Sequence, residues 1–499
     1  MQLLLGIDIG TSGTKTALFD ERGECFASHT ADYPMSQPRN GWAEQNSEDW
    51  WNATLAGIRT LLYRSGASAN AIAGIGLSGQ MHGLVLLDKS GAVLRPAILW
   101  CDQRTGAECA EINRLVGEKR IIEITANPPM TGFTASKILW VQHNEPQIYA
   151  KAAHILLPKD YIRYKLTGEF ATEVSDASGT QLLDVPSRAW SAEVLQKLNI
   201  DAALLPRIYE SPEITGKISR ETSDLTGLRA GTPVVGGAAD NAAAAVAAGA
   251  VRQGAAFTTI GSSAVIYAVS DAPGVDVLGR IHGLCASVPG KWTLMSCTQG
   301  AGLSLKWLRE TLNFTESYAE MDELARKIPI GSEKLLFLPY LMGERSPHPD
   351  ENARGVFLGL SAIHTRAHMV RAVLEGVAFS QRECLDVFRE LGTDVSNMAF
   401  TGGGAQSTLW REILADLYVC NVFTPPSAAH GAALGAALIA GAGVGVFSSV
   451  PEASDAVTQT KTAPTHPDKG RAGAYEPYFE LYKSLYGALK PSFAELARL

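Results

Sequence analysis

At 499 residues the chain exceeds what one ordinary hydrophobic core supports, so two large domains are expected. Apolar residues make up 46% and charged residues 19%, a globular balance. The net charge of -8, with 43 scattered Lys and Arg, argues against a nucleic-acid or membrane partner, because such surfaces carry a basic stripe.

The seven cysteines include no C-x-x-C pair and are widely spaced, which fits small buried thiols in a reducing cytoplasm rather than disulfides or zinc. The N-terminus enters a core-like strand without a basic-then-apolar leader. The longest low-polarity run, Ala432 to Val446, holds four glycines and reads as a buried helix and turn, not a membrane span. A cytoplasmic location is therefore expected.

Leu3 to Gly10 reads as a buried strand, Lys15 to Asp20 as a second, and the turn Glu21 to Glu24 leads to a third. The first bend of this antiparallel meander is the loop Gly10-Thr11-Ser12-Gly13. Such a loop presents backbone N–H groups and hydroxyls to an anion. Asp8, at the strand end, can bind Mg²⁺ there, or can simply stabilise a tight turn. The loop is neither a Walker motif nor a dinucleotide fingerprint, since no helix follows it. Ser47 is read as a helix cap, with Glu48, Asp49 and Trp50 in the first turn.

Ile72 to Ser78 and Leu84 to Asp88 are two more buried strands. Between them, Gly79-Gln80-Met81-His82-Gly83 can line a small polar pocket, although a lone His also serves as a structural group. Asp102 and Arg104 read as an ion pair. Val234 to Gly237 deliver Asp240 to the start of an Ala-rich helix spanning Ala242 to Ala250. The helix dipole favours an ionised Asp240, which can accept a proton from an attacking hydroxyl or act as an N-cap. Asn241 beside it can orient a substrate hydroxyl.

A similar plan recurs after residue 250. Ala255 to Ile260 and Ala264 to Tyr267 flank the turn Gly261-Ser262-Ser263. The strand Met398 to Thr401 runs into Gly402-Gly403-Gly404-Ala405, followed by a helix over Thr408 to Tyr418 with a stripe at Leu409, Trp410, Ile413, Leu414 and Leu417. Three consecutive glycines carry a large entropy cost and fit a flat ligand lying on bare backbone, or a flexible turn. Two related α/β lobes are expected, 1–245 and 246–499, with a loose loop around Gln459 to Lys469.

Together these motifs resemble the FGGY family of carbohydrate kinases over essentially the whole chain. Gly132 to Trp140 is similar to the first family signature, and Gly355 to Leu360 with His368 and Glu375 to the second. The resemblance implies two actin-like, ribonuclease-H-type lobes with an ATP and sugar cleft between them. It implies ATP and Mg²⁺ as cofactors, Asp8 at the metal and Asp240 as the base. It also implies nucleotide contacts at Thr11, Ser12, Gly13, Gly261, Ser262, Gly402, Gly403, Gly404 and Ala405.

Met81, His82, Asn241 and Asp102 are the implied sugar contacts. The Met81-His82 pair, Asn241 and the segment Asp176 to Thr180 resemble members acting on D-xylulose. Their product, D-xylulose 5-phosphate, joins xylose breakdown to the pentose phosphate pathway. Other family kinases, acting on ribulose, gluconate or glycerol, are the nearest alternative, and a non-catalytic actin-like ATP switch the remoter one. Cys101 stands where asparagine is common in the family, which weakens any sugar hydrogen bond from that side chain. A homodimer is the expected assembly.

Overall fold

A computed structural model describes residues 2–426, 430–458 and 463–499. The first sheet contains β1 (Leu3–Ile9), β2 (Gly13–Phe19), β3 (Cys25–Asp32), β4 (Ile72–Gly79), β5 (Ile214–Lys217), β6 (Pro233–Val235) and β7 (Ala238–Ala239). Its order is β5-β6-β4-β1-β2-β3, with β7 also pairing with β4. The second contains β8 (Ala255–Ile260), β9 (Ala264–Ser270), β10 (His282–Cys285), β11 (Trp292–Thr298), β12 (Asn397–Thr401) and β13 (Asn421–Phe423), ordered β10-β11-β9-β8-β12-β13. In both sheets an antiparallel hairpin opens the lobe, and a parallel strand pairs with the hairpin's first member. The recurrence expected from sequence is thus a repeated sheet topology.

Alternation within the strands explains their composition, because successive side chains point to opposite faces. In β1, Leu3, Leu5, Ile7 and Ile9 enter an outer core with Trp50 and Leu61 of helix α1 (Ser47–Ser65). The opposite face carries Leu4, Gly6 and Asp8. In β4 that face carries Gly74, Gly76 and Ser78. The helix α1 is capped by Asn46, whose side chain accepts from the Glu48 amide. The expected cap at Ser47 is therefore one residue late, and the Ser47 hydroxyl is buried.

Two apolar helices lie between the sheets: α2 (Asp240–Ala248) and α3 (Gly431–Gly443). One core unites Leu4, Ala17 and Phe19 of the first sheet, Phe257, Tyr267 and Ala399 of the second, and the alanines of both helices. The Ala-rich helix begins two residues earlier than its alanines suggest and ends at Gly249 with φ 86°. Methyl groups built at Gly6 and Gly76 would overlap the Ala433 and Ala436 carbonyls, and one at Gly435 the Ala243 carbonyl. Backbone approaches backbone at these points, so alanine does not fit.

The outer face of the second sheet packs on the helices Arg366–Glu390 and Thr408–Tyr418, and every residue of the expected stripe is buried there. All seven cysteines are free thiols. Among the described residues no helix is long and apolar enough to cross a membrane. Of the stretch read as a loose loop, 459–462 lie outside the described residues, and the rest leads into a helix at Lys469–Leu496.

Gly435→Ala should destabilise the protein by about 3 kcal/mol, the upper range for overpacking. Gly473→Ala, where the added methyl meets nothing within 4 Å, should stabilise it by up to about 1 kcal/mol. Urea melts of both variants against the parent check the contrast.

Candidate active site

Strand β4 assembles the two aspartates. Its Ser78 is the register partner of Asp8 on one side and of Ala238 on the other. Two strand spacings, about 10 Å, therefore separate the backbones at positions 8 and 238. Asp240 then opens α2 just beyond β7. Gly237, at φ 72°, makes the crossing possible, because a side chain there would strike the Leu77 backbone.

Asp8 has Oδ1 buried and unpartnered. Burial raises its pKa to about 6, against the opposing pull of Ser78 and Lys15. Asp240 is raised to about 7, first by burial and then by the negative charge of Asp8. The Asn241 amide and its Nδ2 donate to Asp240 Oδ1 at 2.6 and 2.9 Å, which works the other way. The expectation that the helix dipole leaves Asp240 readily ionised is thus corrected: desolvation and a like charge outweigh it. Nor is Asp240 an N-cap, since it is the first helical residue.

The turn between β1 and β2 is braced from four sides. Tyr33 Oη donates to the Gly10 carbonyl at 2.6 Å, Gln45 Nε2 to the Thr11 carbonyl at 2.7 Å, and Trp100 Nε1 to Thr11 Oγ1 at 2.9 Å. Thr11 Oγ1 donates in turn to Gln80 Oε1 at 3.3 Å. The Thr11 and Ser12 amides have no acceptor among the described residues, which suits an anion above them. The hairpin of the second lobe turns the same way, with the Gly261 amide bonded to the Ser263 carbonyl and Ser262 exposed.

The triple glycine divides its labour. Gly402 has φ 80°, and added methyls at Gly402 and Gly404 would press on Ile260. Only Gly403 opens onto free space. Two of the three glycines thus serve the fold and one leaves bare backbone, while Ala405 packs against the second-lobe core.

In the loop after β4, Met81 is buried in the junction core and His82 adopts φ 67°. This strained backbone is held by donation to the His82 carbonyl from Lys137 Nζ at 2.9 Å and Thr134 Oγ1 at 3.1 Å. Gly179 leaves room for the imidazole and accepts from Nδ1 at 2.7 Å. Burial lowers the His82 pKa to about 3, so the ring is neutral with Nε2 as an acceptor. Burial likewise lowers Lys137 to about 7.

Asp102 is not brought into this group. It is fully buried and accepts from the Ala43 and Arg104 amides and from Nε and Nη2 of Arg104 at 2.7–3.0 Å. With its oxygens filled, it is left a structural ion pair, as its spacing from Arg104 suggests. Cys101 Sγ lies 3.9 Å from Met35 Sδ.

A recess of about 1470 Å³ opens between the lobes, lined by Trp100 and Gln103 on one side and His282, Gln299 and Arg345 on the other. Sequence reasoning missed the second-lobe members. No glycine motif marks them, and nothing in a single sequence signals which strand edge will face the cleft.

Models of the FGGY family of carbohydrate kinases match 3–247 with the N-terminal domain and 256–444 with the C-terminal domain. The chain is 39% identical to the xylulose kinase of Escherichia coli, covering 99% of this chain and 100% of that one. It is 38% identical to that of Bacillus subtilis, covering 97% of each. The solved xylulose kinase of Rhodospirillum rubrum superposes with a TM-score of 0.92 at 30% identity, covering 99% and 100% of the two chains. The chain therefore belongs to the FGGY family of carbohydrate kinases, with the two-lobed actin-like, ribonuclease-H-type fold and an ATP-dependent sugar kinase activity.

Proposed function

We propose that the chain transfers the γ-phosphoryl group of ATP to the terminal hydroxyl of D-xylulose, giving ADP and D-xylulose 5-phosphate. The similarity to xylulose kinases over nearly the whole chain supports the sugar. The observation that carries the chemistry is the register of β4, which sets Asp8 and Asp240 at one strand end.

Asp240 takes the proton of the attacking hydroxyl. A base with a pKa near neutrality combines the ionised form with useful basicity. In a loose transition state that proton leaves late, so positioning of the hydroxyl dominates. His82, through Nε2, and Asn241 hold the sugar, with Met81 beneath it. The amides of Thr11 to Gly13 and of Ser262 cradle phosphate oxygens, while the Gly261 amide, spent on the Ser263 carbonyl, shapes the turn instead, and Gly402 to Ala405 receive the adenosine. A divalent ion, Mg²⁺ in this reading, would rest at Asp8, whose buried Oδ1 lacks a partner, and would neutralise phosphate charge. Closure of lobes 1–245 and 246–499 excludes water, a competing acceptor. A cytoplasmic homodimer completes the reading.

Asp240→Asn should lower kcat by at least about 10²-fold while ATP still binds. The same variant should melt about 1–3 °C higher at pH 8 without ligands. The sign follows from linkage: the folded-state pKa of Asp240 lies above its ordinary 3.8, so native stability falls as pH rises from there through about 7. Asparagine never ionises, and it keeps an acceptor for Asn241. Calorimetry at pH 5 and pH 8 reads the effect, which should shrink at the lower pH.

Asp8→Asn should lower kcat by about 10²-fold or more and raise the Mg²⁺ concentration needed for half-maximal rate. A titration with Mg²⁺ that leaves this midpoint unmoved places the ion elsewhere. In an ADP-release assay across D-xylulose, D-ribulose, L-ribulose, gluconate and glycerol, D-xylulose should give the highest kcat/KM. A higher value for another sugar overturns the assignment.

A further inference from the structure

We propose that His282, on the second lobe, accepts a hydrogen bond from one hydroxyl of the bound sugar through Nε2, and that Asn127 of the first lobe is its positioning residue. This rests on the sugar reading above and adds a specificity residue from the opposite wall of the cleft.

Asn127 fixes the tautomer. Its Nδ2 donates to the Thr125 and Gly283 carbonyls, both at 2.8 Å, so both amide hydrogens are used. Its Oδ1 can only accept, and it lies 2.8 Å from His282 Nδ1. The hydrogen therefore sits on Nδ1, and Nε2 is a bare acceptor. Burial, aided by the positive charge of Arg345, lowers the ring's pKa to about 3, so it stays neutral. Nε2 has no protein partner among the described residues, and the ring lines the interlobe recess. A nearly buried acceptor left unpaired costs stability, whereas a ligand hydroxyl satisfies it.

The first lobe carries the matching group. His82 Nδ1 faces the Gly179 carbonyl, which leaves the same acceptor, Nε2, free. The Phe133 ring stands between the two imidazoles, its centroid 4.5 Å from His82 and 5.9 Å from His282. Two acceptors flanking an apolar ring suit a carbon chain that alternates C–H faces with hydroxyl donors. Beside His282, a methyl at Gly283 would overlap the Gly274 carbonyl and press on Ala126 of the first lobe, so only glycine fits where the two lobes meet here.

The test combines His282→Phe with sugars each lacking one hydroxyl: 1-deoxy-, 3-deoxy- and 4-deoxy-D-xylulose. In the parent enzyme at least one analogue should lose roughly 10-fold or more in kcat/KM, as expected for a site that reads that hydroxyl. His282→Phe should raise the KM for D-xylulose about 10-fold and leave the KM for ATP within about 2-fold. For one analogue the penalty should fall to about 2-fold or less in the variant, because its hydroxyl no longer has a partner. The proposal is overturned if every penalty keeps its parental size, or if the parent shows none. His282→Gln, which keeps a carbonyl acceptor, answers the same question if the Phe variant fails to fold: one penalty should shrink without vanishing, and unchanged penalties overturn the proposal. If D-xylulose itself is not turned over, the sugar assignment fails separately, and the deoxy series of the accepted sugar tests His282.

Discussion

The whole arrangement depends on two helices of small residues packed back to back between two sheets. Where Gly435 of α3 meets the Ala243 carbonyl of α2, no side chain separates the backbones. The same economy lets α3 settle into the glycine faces of β1 and β4. A larger residue at any of these points would push the sheets apart and carry Asp8 and the hairpin turn Gly261-Ser262-Ser263 away from each other. Close packing of this kind resists deformation, so the loops at the sheet ends inherit a fixed geometry. It also explains why a helix from the C-terminal half of the chain seals the sheet of the N-terminal half.

On this frame the site stores unfavourable electrostatics. Asp8 and Asp240 flank one strand and are both desolvated, and the charge of Asp8 adds to the cost of ionising Asp240. The core of the junction offsets that cost. His82 is a parallel case, a non-glycine residue at positive φ kept in place by a lysine, a threonine and a vacated Cβ position. Strain and like charges gather at the candidate site, and they persist because surrounding packing overdetermines them.

The loops were more legible than the walls. Strand ends, the glycine turns, the Ala-rich helix and the stripe of Thr408–Tyr418 follow from composition and period, and the structure places them within three residues. The glycines themselves were ambiguous: Gly402 and Gly237 answer to neighbouring backbone, Gly404 to the Ile260 side chain, and Gly403 to open space. Asp102 shows the converse. It resembles a ligand by position in the chain, yet its carboxylate is saturated by Arg104 and Ala43.

By itself the sequence determined the fold class, the two-lobed plan and the identity of both aspartates, because these are written in local periodicity and in glycine–aspartate turns. The resemblance of its motifs supplied the chemistry. Only the tertiary structure decided which groups meet: that Ser78 stands between Asp8 and Ala238, that Asn127 fixes the tautomer of His282, and that α3 closes the first sheet. Such pairings join residues far apart in the chain through strand register and backbone contact. Neither leaves a periodic trace in the order of amino acids.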